Sequence, residues 1–376
     1  MANAPLQITD GDRGKAYPTQ NELLEEGYCL FLSATNVTRD GFAFDKCQFI
    51  SEQKDNELRK GRVFRGDVIL TTRGTLGNVA YYSDDVPYEH VRINSGMVTI
   101  HPTGNDLRSR YLYYFLKSDL FQAQVRSLQS GAAQPQLPIR DIKKIKFAHP
   151  DVDAQDRIAE LVGTYDDLIQ NNRRRIELLE DSARLLYREW FVHFRFPGHE
   201  HAKFINGVPE AWTSTTVGAH CPLNYGKALK AETRIPGSCD VYGSSGIVGS
   251  HNQKLVDGPA IVVGRKGNVG STFWAPRDFW PIDTVYYVSP DRSDFFTYYA
   301  LQNVTFINTD VAVPGLNRDY AHSRKLIVPS KQFLTAFNEQ ARGMYSQIDV
   351  LQRQVAELAK ARDLLLTRLM DGRLEV

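Results

Sequence analysis

Along two stretches of the chain, apolar residues recur in alternating steps of four and three, a spacing that predicts two long helices with coiled-coil seams. The first follows Pro150, where Asp153 can cap it. Its seam runs through Ile158, Val162, Tyr165, Ile169, Asn172, Ile176, Leu179, Ala183, Leu186 and Trp190. It is expected to reach about Phe194 and to stop at Pro197-Gly198. The second follows Pro329, with Ser330 as cap and a seam through Phe337, Ala341, Met344, Ile348, Leu351, Val355, Leu358, Arg362, Leu365 and Leu369, ending near Gly372. If the second helix returns along the first, the pair is antiparallel and holds a domain at each end. A helix of roughly 40 residues spans about 60 Å, more than the ~34 Å of one B-DNA turn. The plainer alternative packs each helix on its own domain. Asn172 and Arg362 interrupt the seams, either to fix register or as slips toward solvent.

Ahead of each helix the chain repeats itself. An apolar strand over 66–70 leads into Thr71-Thr72-Arg73-Gly74-Thr75-Leu76-Gly77-Asn78 and a second strand over 79–82. A strand over 258–263 leads into Arg265-Lys266-Gly267-Asn268-Val269-Gly270-Ser271 and a strand over 272–274, which agrees if one residue is inserted. Residues 94–100 correspond to 283–288, and an aromatic helix around Tyr113 and Tyr114 to one around Tyr298 and Tyr299. Each copy closes on a short apolar strand ending at Pro150 or Pro329. Five matches in the same order favour a duplication over two unrelated α/β domains. The fold class read from this is α+β: two pseudo-repeated mixed α/β domains, 1–150 and 198–329, separated by two long antiparallel coiled-coil helices, 151–197 and 330–376.

A hydrophobic share of 42% over 376 residues suits two or three packed domains. With a net charge of +1, indiscriminate coating of nucleic acid is excluded, so any DNA affinity must come from local patches. No membrane span or secretory leader is visible, and a cytoplasmic location is expected. The pairs Cys29/Cys47 and Cys221/Cys239 lack metal or redox spacing and read as free thiols. Gly243, Gly246 and Gly249 match neither a dinucleotide nor a Walker loop, and the histidines are scattered. No catalytic residue, metal site or bound cofactor is expected; this chain binds. The aromatic run 189–196 packs on the second domain or docks another subunit, packing being the safer reading.

The loops after the first strands are the strongest binding candidates. Arg73-Gly74 and Arg265-Lys266-Gly267 present cations beside uncovered backbone N–H groups, suited to phosphate oxygens or guanine edges. Thr71, Thr75, Asn78, Asn268 and Ser271 add short polar groups, and the alternative is a tight turn with its Arg salt-bridged internally. A second candidate is the polar loop before each closing strand, with Gln134 and Gln136 in one copy and Asn317 in the other.

The segments Gly66-Asp67-Val68-Ile69-Leu70-Thr71-Thr72-Arg73-Gly74, Tyr242-Gly243-Ser244-Ser245-Gly246-Ile247-Val248-Gly249 and Val263-Gly264-Arg265-Lys266-Gly267, with the two spacer helices, resemble the specificity subunit of type I restriction-modification systems over nearly the whole chain. The resemblance implies two target-recognition domains that each read half of a bipartite, asymmetric double-stranded DNA site, and it adds Tyr242, Ser244 and Ser245 to the expected DNA contacts. It also implies helices that set the unread gap and dock two methyltransferase subunits carrying S-adenosylmethionine. Two restriction/translocase subunits using ATP and Mg would complete the complex. A related system with a fused methylase-nuclease partner, or a coiled-coil scaffold joining two domains that do not bind DNA, are the alternatives. One departure is plain: the second domain opens with Pro209-Glu210-Ala211-Trp212, whereas the first begins near Ile8-Thr9-Asp10-Gly11 without such a Trp.

Overall fold

In a computed structural model, residues 1–129, 135–308 and 314–376 are described, and they divide into two units. Unit 1 comprises Met1–Asn172 with Gln354–Val376, and unit 2 comprises Arg173–Arg353, so the division passes through both long helices.

Unit 1 contributes β1 (Leu6–Asp10), β2 (Cys29–Leu32), β3 (Phe49–Ile50), β4 (Val68–Thr71), β5 (Val79–Tyr81), β6 (Val91–Ile93) and β7 (Met97–Pro102). A four-stranded antiparallel sheet runs β1-β7-β4-β5, and a three-stranded sheet runs β3-β2-β6 with β2 and β6 parallel. Unit 2, after a two-stranded hairpin of Phe204–Ile205 and Val208–Pro209, contributes β8 (Thr213–Thr216) and then repeats the plan with β9 (Leu223–Tyr225), β10 (Cys239–Gly243), β11 (Gly246–His251), β12 (Ala260–Gly264), β13 (Thr272–Ala275), β14 (Phe279–Pro281) and β15 (Val285–Val288). Its sheets run β9-β15-β12-β13 and β11-β10-β14, the same orders with the same directions. The expected duplication is present in these two sheets of each unit, strand for strand.

Strand alternation sends side chains to two cores in each unit. In unit 1, Val68, Leu70, Val98 and Ile100 face the aromatic helix Ser109–Lys117, together with Ile158, Val162, Leu366 and Leu369 from the long helices. Ile69, Ala80 and Met97, on the opposite face, pack on Leu30, Leu32 and Ile93. In unit 2, Ile261, Val263, Tyr286 and Val288 face the helix Phe295–Asn303 and the long-helix residues Tyr187, Trp190 and Phe337, while Ala260, Val262 and Val285 face Tyr242 and Phe279.

The first long helix spans Val152–Tyr187 and continues as a π-helical turn, Arg188–Val192; the second spans Lys331–Met370. Within unit 1 they run antiparallel, since Asp166 pairs with Arg362 at 2.5 Å while Arg157 Nε donates to Val376 O at 2.9 Å. Every seam position from the sequence is buried or half-buried. Asn172 is buried and its amide donates to Gln354 Oε1 at 3.3 Å, and Arg362 is held by Asp166, so both polar interruptions make cross-helix bonds. The first helix ends at Val192, within two residues of the expected Phe194, and what breaks it is Phe194, with φ of 56°, rather than Pro197-Gly198; the Phe194 ring lies 5.4 Å from Trp212. The aromatic run packs within unit 2, with Phe191 5.0 Å from Phe296 and Phe196 4.6 Å from Phe333.

One expected element differs between the units. β16 (Lys325–Val328) closes unit 2 by pairing with β8, but 145–149 in unit 1 is not a strand. There the Lys143 and Ile145 carbonyls accept from the Ala2 amide at 3.0 Å and the Met1 nitrogen at 2.5 Å. A strand needs a partner ladder, and β8 has no counterpart among these residues.

Unit 2 carries an acid-sensitive contact. Nε2 of His322 accepts the Leu223 amide at 2.9 Å, which requires the neutral ring, and burial, followed by the Arg318 charge, lowers its pKa below the ordinary 6.5. The folded pKa therefore lies below the unfolded one, so the stability is present above about pH 6.5 and is lost as pH falls through the folded value. Thermal melting of unit 2 is expected to drop between pH 7 and pH 5, and His322→Gln, which keeps an acceptor, is expected to flatten that slope. An equal slope in both proteins would assign the acid sensitivity elsewhere.

Candidate nucleic-acid interface

The loop joining β4 to β5 and the loop joining β12 to β13 are built on one main-chain pattern. Thr71 N donates to Asn78 O at 2.9 Å and Gly264 N to Ser271 O at 2.6 Å; Gly77 N donates to Thr71 O at 3.0 Å and Gly270 N to Gly264 O at 2.9 Å. Gly74 and Gly77 have φ of 72° and 87°, and Gly267 and Gly270 have 81° and 77°, a left-handed conformation that favours glycine. Both loops therefore have eight residues, 71–78 and 264–271, with no insertion.

This corrects the alignment drawn from sequence. Arg73 is equivalent to Lys266, and Arg265 to Thr72. The bonds to neighbouring strands agree: Thr72 N and Arg73 N donate to Gly96 O, as Arg265 N and Lys266 N donate to Thr284 O. The closing loops agree too, with Arg73 bridging Gln136 and Lys266 bridging Gly315.

Side chains divide into those that hold the frame and those that face outward. Thr71 is buried, its hydroxyl donating to Thr75 O and accepting the Asn78 amide at 2.9 Å. Asn78 Nδ2 donates to Val37 O at 2.9 Å, and Ser271 Oγ to Ser244 O at 2.7 Å, so one ties its loop to the short strand Val37–Thr38 that follows β2 and the other to the turn after β10. Tyr242 is buried edge-on against Phe279 at 5.5 Å, its hydroxyl pushed up to about 12 by burial, which makes it a core residue. Asn317 caps the short helix Arg318–His322 by accepting the Tyr320 amide at 3.0 Å. Gly74, Thr75, Ser245, Lys266 and Asn268 are exposed, as is Arg73, and Ser244 and Gln136 are half-exposed. Gln134 lies outside the described residues. Arg73 and Lys266 make no ion pair among the described residues, so the internally salt-bridged alternative does not hold for them.

Sequence reading passed over several neighbours. Arg265 is half-buried: its guanidinium lies 5.0 Å from the Tyr225 ring and donates to Asp283 O at 3.0 Å, and Arg318 approaches the same ring at 4.8 Å. Gly11 and Gly226 were given no role, yet a Cβ at either would sit 2.1 Å from Asn94 O or Ile282 O. Their only sequence signal is a glycine directly after a strand. No group of three His, Cys, Asp or Glu among the described residues is placed to hold a metal, and no helix among them is long and apolar enough to cross a membrane.

With this geometry in view, comparison with known proteins points one way. Residues 7–181 match the family described as type I restriction modification DNA specificity domain. The type I restriction enzyme MjaIX specificity subunit of Methanocaldococcus jannaschii is 23% identical over 353 residues, which covers 84% of this chain and 79% of the relative. The HindI specificity subunit of Haemophilus influenzae is 24% identical over 168 residues, covering 44% of this chain and 36% of its own. The crystal structure of the S subunit of a type I restriction-modification system from M. genitalium shares the fold, with a TM-score of 0.55, 16% identity and coverage of 97% of this chain and 93% of that one.

Proposed function

We propose that this chain, which belongs to the type I restriction-modification specificity subunits, reads a bipartite DNA site, one half with each unit. The observation that carries the reading is the shared eight-residue frame, which in each unit sets an exposed cation, Arg73 or Lys266, beside left-handed glycines. A cation next to open backbone N–H groups suits phosphate oxygens and base edges, and short polar neighbours such as Thr75, Asn268 and Ser245 add base-edge partners.

Type I specificity subunits work with the other subunits of their systems and with DNA. For this chain the proposed partners are two methyltransferase subunits carrying S-adenosylmethionine, docked on the long helices, and two restriction/translocase subunits using ATP and Mg. The helices are proposed to set the gap between the half-sites, a role supported by their lengths of 36 and 40 residues and by the antiparallel pairing inside unit 1. The chain itself is proposed to be non-catalytic and to act in the cytoplasm, where it would meet its DNA.

Co-expression with the partner methylase, followed by mapping of methylated bases, is expected to reveal a split motif with a fixed gap. A continuous motif, or methylation without sequence preference, would overturn the reading. Arg73→Ala is expected to weaken binding to one half-site and Lys266→Ala to the other, each about tenfold. Duplexes with one half-site scrambled measure this; equal losses for both variants on the same half-site would contradict the assignment of one unit to each half.

A further inference from the structure

We infer that Arg13 and Arg265 are matched phosphate contacts, one in each unit, which bind the DNA backbone beside the residues that face the bases. This rests on the DNA-reading function proposed above. Gly11 and Gly226 occupy equivalent positions: their amides donate to Met97 O at 3.4 Å and Val285 O at 3.2 Å, and neither has room for a Cβ against Asn94 O or Ile282 O. Both glycines press the chain onto the same turn, and the next carbonyl of that turn accepts a guanidinium in each unit. In unit 1 Arg13 Nη2 donates to Ser95 O at 3.3 Å; in unit 2 Arg265 Nη1 donates to Asp283 O at 3.0 Å.

The two arginines reach that place by different routes. Arg13 comes from the turn after β1, where its counterpart by count from the glycine is Ala228; Arg265 comes from the loop after β12, where its counterpart is Thr72. An alignment of the two copies therefore shows no shared arginine, although the fold delivers one to each. Arg13 is firmly placed, because the Asp12 carboxylate accepts the Gly14 amide at 2.6 Å and the Arg59 amide at 2.8 Å. That carboxylate is thereby taken up by backbone, and neither Arg13 nor Arg265 has an ion-pair partner among the described residues.

A single hydrogen bond to a carbonyl near solvent stabilises a fold little, so packing does not account for Arg13; Arg265 is also steadied by the Tyr225 and Tyr286 rings, 5.0 and 5.8 Å from its guanidinium. The adjoining residue of the same turn, Gly96 or Thr284, holds the amide of Arg73 or Lys266. Each unit thus sets two cations along one stretch of backbone. A guanidinium anchored by one N–H keeps its other donors for an anion, and phosphate takes them in bidentate fashion.

Fluorescence anisotropy of the full-length chain on a duplex carrying its mapped split site, across a salt series, tests this. Arg13→Ala and Arg265→Ala are each expected to weaken binding about tenfold at low salt, equally for variant site sequences, and to reduce the salt slope by about one. Arg13→Lys is expected to restore most of the slope, which separates lost charge from altered folding. Unchanged affinity and slope in Arg13→Ala would overturn the inference, as would a loss seen only when one base pair is changed. Failure of the unaltered chain to prefer the split duplex would instead sink the DNA-reading function itself.

Discussion

Asp55→Ala is expected to destabilise unit 1 by about 3–5 kcal/mol, enough to unfold it at moderate temperature. Asp55 and Arg92 are 1% and 3% exposed. Arg92 bonds the Asp55 carboxylate through Nε, and its Nη atoms donate to Lys60 O at 2.7 Å, Asp55 O at 2.6 Å and Leu58 O at 3.1 Å. Burial alone would push the Asp55 carboxyl up, but the bonds from Arg92 and the charges of Arg92 and Arg62 hold it below the usual range. Removing the carboxylate leaves a buried guanidinium without its counter-charge. Unit 2 shows that the fold does not require this charge: Trp280 fills the register position of Arg92 and donates Nε1 to Lys227 O at 2.9 Å. Asp55→Leu combined with Arg92→Met is therefore expected to recover part of the loss. Urea unfolding of the three proteins decides this, and a single variant as stable as the parent would show that water reaches the pair.

Removal of seven residues from each long helix, at facing positions of the pair, is expected to shorten the preferred gap in the DNA site by about three base pairs. Seven residues rise roughly 10 Å, and one DNA turn of 10–10.5 base pairs rises about 34–36 Å. A heptad is the unit to remove because it brings apolar residues back into register with about 20° of rotation, whereas other lengths turn the seam outward. The half-site sequences should stay the same, since the loops proposed to face the DNA are untouched. Methylation mapping reads the gap directly, and an unaltered gap would reject the proposal that the helices set it.

The helices and the duplication were legible because each rests on a long-range regularity: seam residues such as Val162 and Phe337 recur by period, and β4 and β12 are continuous apolar runs. The exact correspondence of the loops was not legible. An arginine shortly before a glycine in each copy, Arg73-Gly74 and Arg265-Lys266-Gly267, invites alignment of Arg73 with Arg265, and only the main-chain bonds show that Lys266 is the counterpart. Burial is likewise a property of the folded chain, which is why Tyr242 reads as an exposed contact beside Ser244 and Ser245 yet belongs to the core. Arg13 carries no signal at all, because what places it is the close approach of Gly11 to Asn94, between parts of the chain far apart in sequence.

Because the eight-residue turns are shaped by amides, carbonyls and two glycines each, few of their side chains are needed to keep that shape. Thr75 and Asn268, or Arg73 and Lys266, hold matching stations with unlike chemistry. Such a mount tolerates exchange: under the proposed DNA-reading function, a new letter of the target would be acquired by swapping one outward group while the scaffold beneath stays as it was.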